Sequence, residues 1–280
     1  MKLTFNSNAL KTLSAYKKNI CEHSRSINNI SSGKKINSSK DNPNCVSKLG
    51  NLEKEIRGHQ SSRRNIQDTV SMIQSADSVM ASLNDRISRI RELTISVGSS
   101  SINDNEKTII QNEVNTLLGG IEYEVENFSF NGLNVLGNKD VTDNSNPNSI
   151  DLQSSGISGE VTKIPVYNFS LDALGIENLD AVNSDISSTL EKLDNASSQI
   201  IGARAKFGTI SNTLEDKIQH SQSLESILSS SKSKIDDADV ALEMLEFSKT
   251  LILTESNIKN MSKTIYFPAD IVDAIGKLYE

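Results

Sequence analysis

Apolar residues return along much of the chain in steps of three and four or multiples of them. One series runs through Leu52, Ile56, Ile66, Val70, Ile73, Ala76, Met80, Leu83, Ile87, Ile90 and Val97. That register is a single stripe on a single helix, and it predicts a helix over 46–97, about 75 Å long at roughly 1.5 Å per residue. A second series runs through Ile186, Leu190, Leu193, Ile200, Phe207, Ile210, Leu214, Ile218, Leu224, Leu228, Ile235, Ala238, Leu242 and Leu245. Neither stripe can be left in water, so each needs partner helices. The two runs lie toward opposite ends, and the simplest pairing folds the chain back on itself as an antiparallel hairpin.

Shorter elements frame these two. A first helix is expected from Ser7, carrying Leu10, Leu13, Ile20, Ile27 and Ile30 and stopping at Ser31, Ser32 and Gly33. Residues 34–44 turn polar, and Pro43 disfavours helix at Asn42, which predicts a loop. Ser99, Ser100 and Ser101 end the long helix, and Asn103 with Glu106 has the spacing of a capping box that launches a helix bearing Ile110, Val114, Leu117 and Ile121. From Phe128 the period fails. Asn131-Gly132 signals a turn, while Ile150, Leu152, Val161, Ile164, Val166 and Phe169 alternate as strand residues do, around Gly156 and Gly159. A last helical stretch is expected from Ser184, with a polar hitch over 234–237 and an interruption at Pro268. The fold class is mainly α, a long antiparallel helical hairpin or coiled-coil bundle with a small β-hairpin region at the tip.

Composition narrows what such a chain can do. It has no Trp and 4% aromatic residues, which suits thin layers of Leu, Ile and Ala better than a globular core. The formal net charge of −7 offers no basic face, so no nucleic acid is expected as partner. Lys17-Lys18 and Arg63-Arg64 are read as solvated helix faces. No apolar run approaches the roughly 18 residues of a membrane span, so no membrane insertion is expected, and the amino terminus lacks the apolar block of a secretory signal. Ordinary secretion rules would keep the chain in the cytoplasm and leave export by a dedicated apparatus open. Cys21 and Cys45 are expected to be structural or incidental thiols rather than a disulfide.

Nothing in the residue pattern asks for catalysis or a cofactor. His23, His59 and His220 lack the one-turn spacing of a zinc-binding pair, and Cys21 and His23, two apart, point to different faces of a helix. Neither a phosphate-binding loop nor a nucleophile elbow occurs. Asp236, Asp237 and Asp239 read as caps at a helix start rather than as an acid and base. No enzyme activity, metal or cofactor is expected.

Five blocks at these same positions, ISSGKKINSSKDNP, RISRIRELTISV, EKTIIQNEVNTLL, FSFNGLNVL and SKIDDADVALEMLEFSKTLIL, resemble in order those of bacterial flagellin. ISSGKKINSSKDNP resembles the flagellin pattern L-S-S-G-x-R-I-N-S-A-x-D-D. RISRIRELTISV, EKTIIQNEVNTLL and FSFNGLNVL are similar to three further flagellin blocks in the same order. SKIDDADVALEMLEFSKTLIL is similar to S-R-I-x-D-x-D-x-A-x-E-x-x-x-x-x-K-x-x-I-L. The collinear blocks fall within residues 1–138 and 180–275.

The resemblance implies a structural subunit that polymerises into the extracellular flagellar filament for motility and is exported unfolded by the flagellar type III apparatus. It implies an inner-shell helix over 1–44 paired with 238–280, long-helix shells over 45–137 and 184–237, and a small variable tip over 138–183 in place of large outer domains. Inner-shell self-assembly would fall on Leu10, Leu13, Ile20, Ile27, Leu242, Leu245 and Ile252, in segments that order only when neighbours bury them. A flagellin export chaperone would take 241–275 as helix in groove, through Leu245, Ile252, Ile258, Ile265 and Ile271. Other implied partners are copies of the chain itself, the hook-associated junction and cap proteins, and the vertebrate flagellin-sensing Toll-like receptor at Arg89, Leu93 and Glu113. Simple packing of Leu93 and an ion pair between Arg89 and Glu113 would account for those three residues without a receptor.

The chain also departs from the family pattern. Asn42, Pro43, Asn44 and Cys45 stand where small apolar residues are usual, and Thr254, Glu255, Ser256 and Asn257 stand for Q-Q-A-G. Two other readings stand beside flagellin: the related hook-associated junction protein between hook and filament, of which the Asp-x-Pro at Asp41 to Pro43 is reminiscent, and, from another class, a cytoplasmic coiled-coil binding or signalling module.

Overall fold

The computed structural model describes residues 7–98, 103–141, 144, 146–154, 160–182 and 185–276, with side chains between 10 and 262. In chain order the elements are α1 (Ser7–Ser32), α2 (Pro43–Val97), α3 (Asp104–Asn127), β1 (Asn148–Gln153), β2 (Val161–Val166), α4 (Leu171–Leu174), α5 (Ile186–Asp236) and α6 (Val240–Gly276). The fold is mainly α with, among the described residues, one two-stranded antiparallel sheet, as the periodicities predict. Two compact units form, one from Met1–Lys54 with Ile227–Glu280 and the other from Glu55–Ser226. Among the described residues no helix is long and apolar enough to cross a membrane.

In the unit Glu55–Ser226 the α2 stripe is buried from Ile66 to Val97. Its residues share one core with Val114, Leu118, Ile121 and Val125 of α3 and with Leu193, Ala196, Ile200, Ala203, Phe207 and Leu214 of α5. Side-chain bonds fix the register. Arg91 meets Asp194 at 2.9 Å, Ser197 donates to Asn84 at 2.8 Å, Arg204 meets Asp77 at 2.8 Å and Arg63 meets Glu225 at 2.9 Å. Numbers fall along α2 as they rise along α5, so the two helices run antiparallel. Arg63 thus belongs to this ladder and is not the purely solvated residue expected.

α3 starts on the capping box the spacing predicts: the Glu106 N–H donates to the Asn103 side chain at 2.9 Å, and the Asn103 N–H to the Glu106 carboxylate at 3.1 Å. Asn131 and Gly132 then take φ of 50° and 79°, and Phe130 and Leu133 exchange backbone hydrogen bonds of 3.0 and 2.9 Å. This is the two-residue hairpin turn that Asn-Gly favours. In the sheet, Ile150 pairs with Ile164 and Asn148 with Val166, which puts Val161 on the opposite face, where it is exposed. Val161 therefore does not belong with Ile164 and Val166, because strand faces alternate with a period of two. Past β2 the backbone pairs instead with 135–138: the Tyr167 and Phe169 N–H groups donate to Val135 and Leu136 at 2.9 and 2.7 Å. That pairing turns both rings inward, stacked at 5.4 Å, with Phe207 edge-on to Tyr167 at 5.6 Å. Gly156 lies outside the described residues, as do Gly159 and Ser184.

In the other unit α1 packs on α6. Gly33, at φ 69°, ends α1 in the left-handed conformation. The polar segment after it is a loop, but α2 begins at Pro43, earlier than expected. Asn42 acts as its N-cap, accepting from the Cys45 N–H at 3.2 Å, and Pro43 occupies the first helical position, where no N–H is needed. The hitch after α5 is a full break. Asp239 caps α6, accepting from the N–H groups of Ala241 and Leu242 at 3.0 and 3.3 Å. Across the break, Lys35 donates to the Asp236 carbonyl at 2.6 Å and Ala238 to that of Gly33 at 2.9 Å, while Lys34 reaches the buried Asp236 carboxylate at 3.2 Å. The seam of α5 therefore does not continue into Leu242 and Leu245. α6 also runs through Pro268 to Gly276. Proline removes one helical hydrogen bond there without ending the helix, contrary to the expected interruption.

Candidate assembly surface

The α1–α6 pair is polar where its helices meet and apolar where they face away. On α1 the sheltered positions are Thr12, Tyr16, Asn19, His23, Ser26 and Asn29, stepping by three and four, with Ile30 beside the last. On α6 they are Glu243, Glu246, Phe247, Thr250, Thr254, Asn257 and Met261. Asn29 donates to Glu243 at 3.0 Å, and His23 stacks on Phe247 at 4.5 Å. The Thr250 hydroxyl lies 2.9 Å from the Phe247 carbonyl, which can only accept, and 3.1 Å from His23 Nδ1, with which it shares a hydrogen bond.

Most of the large apolar residues of the same helices point outward. Leu10, Leu13, Ile20 and Ile27 are exposed on α1. On α6, Leu242 is 60% exposed, Leu245 62% and Ile252 65%, and Val240, Met244, Leu251, Leu253 and Ile258 are exposed with them. Ile265 and Ile271 lie in the last turns of α6, but their side chains fall outside the described ones. An apolar face of this extent gains free energy only when something covers it, at about 25 cal/mol for each Å² removed from water. The residues named for assembly are thus open to solvent on α1 and α6.

The other named cluster sits in the unit Glu55–Ser226. Arg89 of α2 donates to Glu113 of α3 from Nε and Nη2 at 3.2 and 3.0 Å, and to Glu92 at 3.2 Å. Hydrogen bonding to Glu113 first and Glu92 second raises the Arg89 guanidinium above its ordinary value. Leu93 is 7% exposed and belongs to the core, so of the three only Arg89 and Glu113 are open to a partner. Cys21 is exposed and Cys45 half-buried, both as free thiols. Sequence reasoning missed the polar seam itself; its signal was the return of Tyr16, Asn19, His23, Ser26 and Asn29 in steps of three and four beside the apolar stripe.

Comparison with known proteins gives the family. Residues 4–140 match the family model of the bacterial flagellin N-terminal helical region, and residues 190–273 that of the bacterial flagellin C-terminal helical region. A flagellin of Bacillus subtilis is 25% identical over 98% of this chain and 100% of its own length. Among solved structures, a Bacillus cereus flagellin overlays with a TM-score of 0.50 at 22% identity, covering 56% of this chain and 88% of its own. A Vibrio parahaemolyticus chain assigned as a flagellar hook-associated protein overlays with a TM-score of 0.59 at 15% identity, covering 70% of this chain and 100% of its own. Those two overlays speak for the fold alone. The paired family matches span most of the sequence in the order N-terminal then C-terminal region, and with a relative aligned end to end they decide the matter: the chain belongs to the bacterial flagellin family.

Proposed function

We propose that this chain is a structural subunit of the bacterial flagellar filament, polymerising with copies of itself outside the cell to serve motility. The observation that carries this reading is the outward apolar face of α1 and α6 over a polar internal seam. A pair of helices that buries Asn, Thr and His and exposes Leu and Ile is stabilised by neighbours more than by itself. Repeated head-to-tail contacts of that kind build an open helical polymer. Residues 1–44 with 238–280 form the inner shell, 45–137 and 184–237 the surrounding long-helix shell, and 138–183 the outward tip.

Further partners follow from the same surfaces. Before assembly, the apolar side of α6 suits an export chaperone that binds a helix in a groove, with Leu245, Ile252 and Ile258 as anchors and Ile265 and Ile271 continuing them. Passage through the flagellar type III apparatus as an unfolded chain and docking to junction and cap proteins belong to this reading. Arg89 and Glu113 are its contact to the Toll-like receptor.

The test is direct. Filaments sheared from cells should contain the protein, and purified subunits seeded with short filament pieces should extend into long filaments under the electron microscope. Single collars at the seed ends would instead support a hook-associated junction protein, and absence from sheared filaments would remove the proposal.

A further inference from the structure

We infer that the Asn131-Gly132 turn is a site of spontaneous covalent modification, at which the Asn131 carboxamide passes through a cyclic imide to aspartate and isoaspartate. Both residues are exposed and both are left-handed, at φ 50° and 79°. Phe130 and Leu133 use their own N–H groups to close the turn. Neither the Gly132 N–H nor the Asn131 side chain has a hydrogen-bond partner among the described residues. Gly132 has no side chain to crowd the approach, and beyond its chain neighbours nothing lies within 4 Å of where a Cβ would stand.

Asn131 is the one asparagine in the chain that precedes a glycine. Others are held. The side-chain amide nitrogens of Asn29, Asn37, Asn127 and Asn144 donate to Glu243, Asn29, Tyr123 and Asn168.

The chemistry needs only water. The Gly132 backbone nitrogen, having lost its proton to solvent base, attacks Asn131 Cγ; the N–Cγ bond forms, the Cγ–Nδ2 bond breaks, and ammonia leaves with a proton taken from solvent. Water then opens the five-membered imide. Attack at Cγ restores the normal backbone and yields aspartate, whereas attack at the main-chain carbonyl routes the backbone through Cγ and yields isoaspartate. Nothing is oxidised or reduced, and the chain gains one negative charge. The nitrogen must swing toward the carboxamide, so opening of the Phe130–Leu133 pair sets the pace. Isoaspartate adds a backbone carbon to a two-residue turn, whose geometry depends on that count. It therefore unpairs Leu133 from Phe130, which packs against the core.

Folded protein incubated at neutral and mildly alkaline pH, then digested and mapped by liquid chromatography and mass spectrometry, tests this. The peptide holding Asn131 should gain a single dalton several-fold faster than any other asparagine peptide, as two separable isomers, and faster at alkaline pH. On native gels a more acidic band should grow and co-migrate with Asn131→Asp. Asn131→Gln, confirmed as folded by circular dichroism, should not form it. Earlier conversion at another asparagine, or an unchanged Asn131 in folded protein while a urea-unfolded sample converts, would overturn the inference. The wild-type peptide map decides by itself should Asn131→Gln not fold.

Discussion

Asn29 on α1 donates to the Glu243 carboxylate on α6 at 3.0 Å, and it accepts in turn from Asn37 in the following loop, also at 3.0 Å. Their neighbours Ile27 and Leu242 face outward. One buried asparagine therefore ties the two helices and the loop together in a seam with little apolar surface to hold it. Asn29→Ala deletes both bonds and should loosen the α1–α6 pair by about 1–2 kcal/mol. Amide hydrogen exchange should quicken in α1 while the helices of Glu55–Ser226 keep their protection.

The second unit should respond to different changes. Leu83 and Ile90 are completely buried in a core shared by α2, α3 and α5. Leu83→Ala leaves a cavity in packed surroundings and should cost about 2–5 kcal/mol. Ile95→Ala, on the same helix but half-exposed, should stay within about 0.5 kcal/mol of the parent. Urea denaturation curves of the two variants, compared at equal slope, check the contrast.

Tyr167 carries a pH signature. Its ring is buried, its hydroxyl has no hydrogen-bond partner among the described residues, and burial pushes its pKa from 10.0 up to about 12. The folded protein thus holds this proton to higher pH than the unfolded chain does. The stability linked to Tyr167 is fully present below pH 10 and is lost as the pH rises from there to about 12. At about 1.4 kcal/mol per pKa unit, that loss approaches 2–3 kcal/mol. Tyr167→Phe removes a polar atom that burial has stranded, so it should match or exceed the parent in stability at neutral pH. Unfolding free energies measured across the alkaline range should fall less steeply for the variant.

Sequence periodicity was informative to the extent that the chain covers its own apolar faces. On α2 every stripe residue from Ile66 to Val97 went to the core, because α3 and α5 of the same molecule lie against it. On α1 and α6 the same rule marks apolar faces correctly and says nothing of what meets them; Leu13 and Leu242 turned outward, and the inner contact fell to Thr12, His23 and Thr250. Local capping chemistry was readable at Asn103 and Gly33, where a few adjacent residues determine the geometry. Tyr167 was not, since its burial depends on 135–138 pairing with the chain beyond β2, thirty residues away in sequence. Pro43 misled because a proline that blocks helix behind it also starts one in front.

The outward face gives the decisive prediction about assembly. Leu242, Leu245 and Ile252 are each about three-fifths exposed in the single chain, so replacing them with serine removes little that the subunit itself uses. The triple variant should unfold within about 0.5 kcal/mol of the parent. In a polymer the same side chains would lose their remaining contact with water, each contributing about 1 kcal/mol or more, a fraction of the roughly 1.5–3 kcal/mol of complete burial. Three such losses come to about 3 kcal/mol, which raises the critical concentration for polymerisation by about two orders of magnitude. Sedimentation of seeded samples over a concentration series measures that threshold, and thermal unfolding of the unassembled subunit supplies the control. A variant that unfolds normally and polymerises at the parental threshold would show that this face of α6 lies outside the subunit contacts. A variant that unfolds normally and stays in the supernatant would establish it as the surface on which the filament is built.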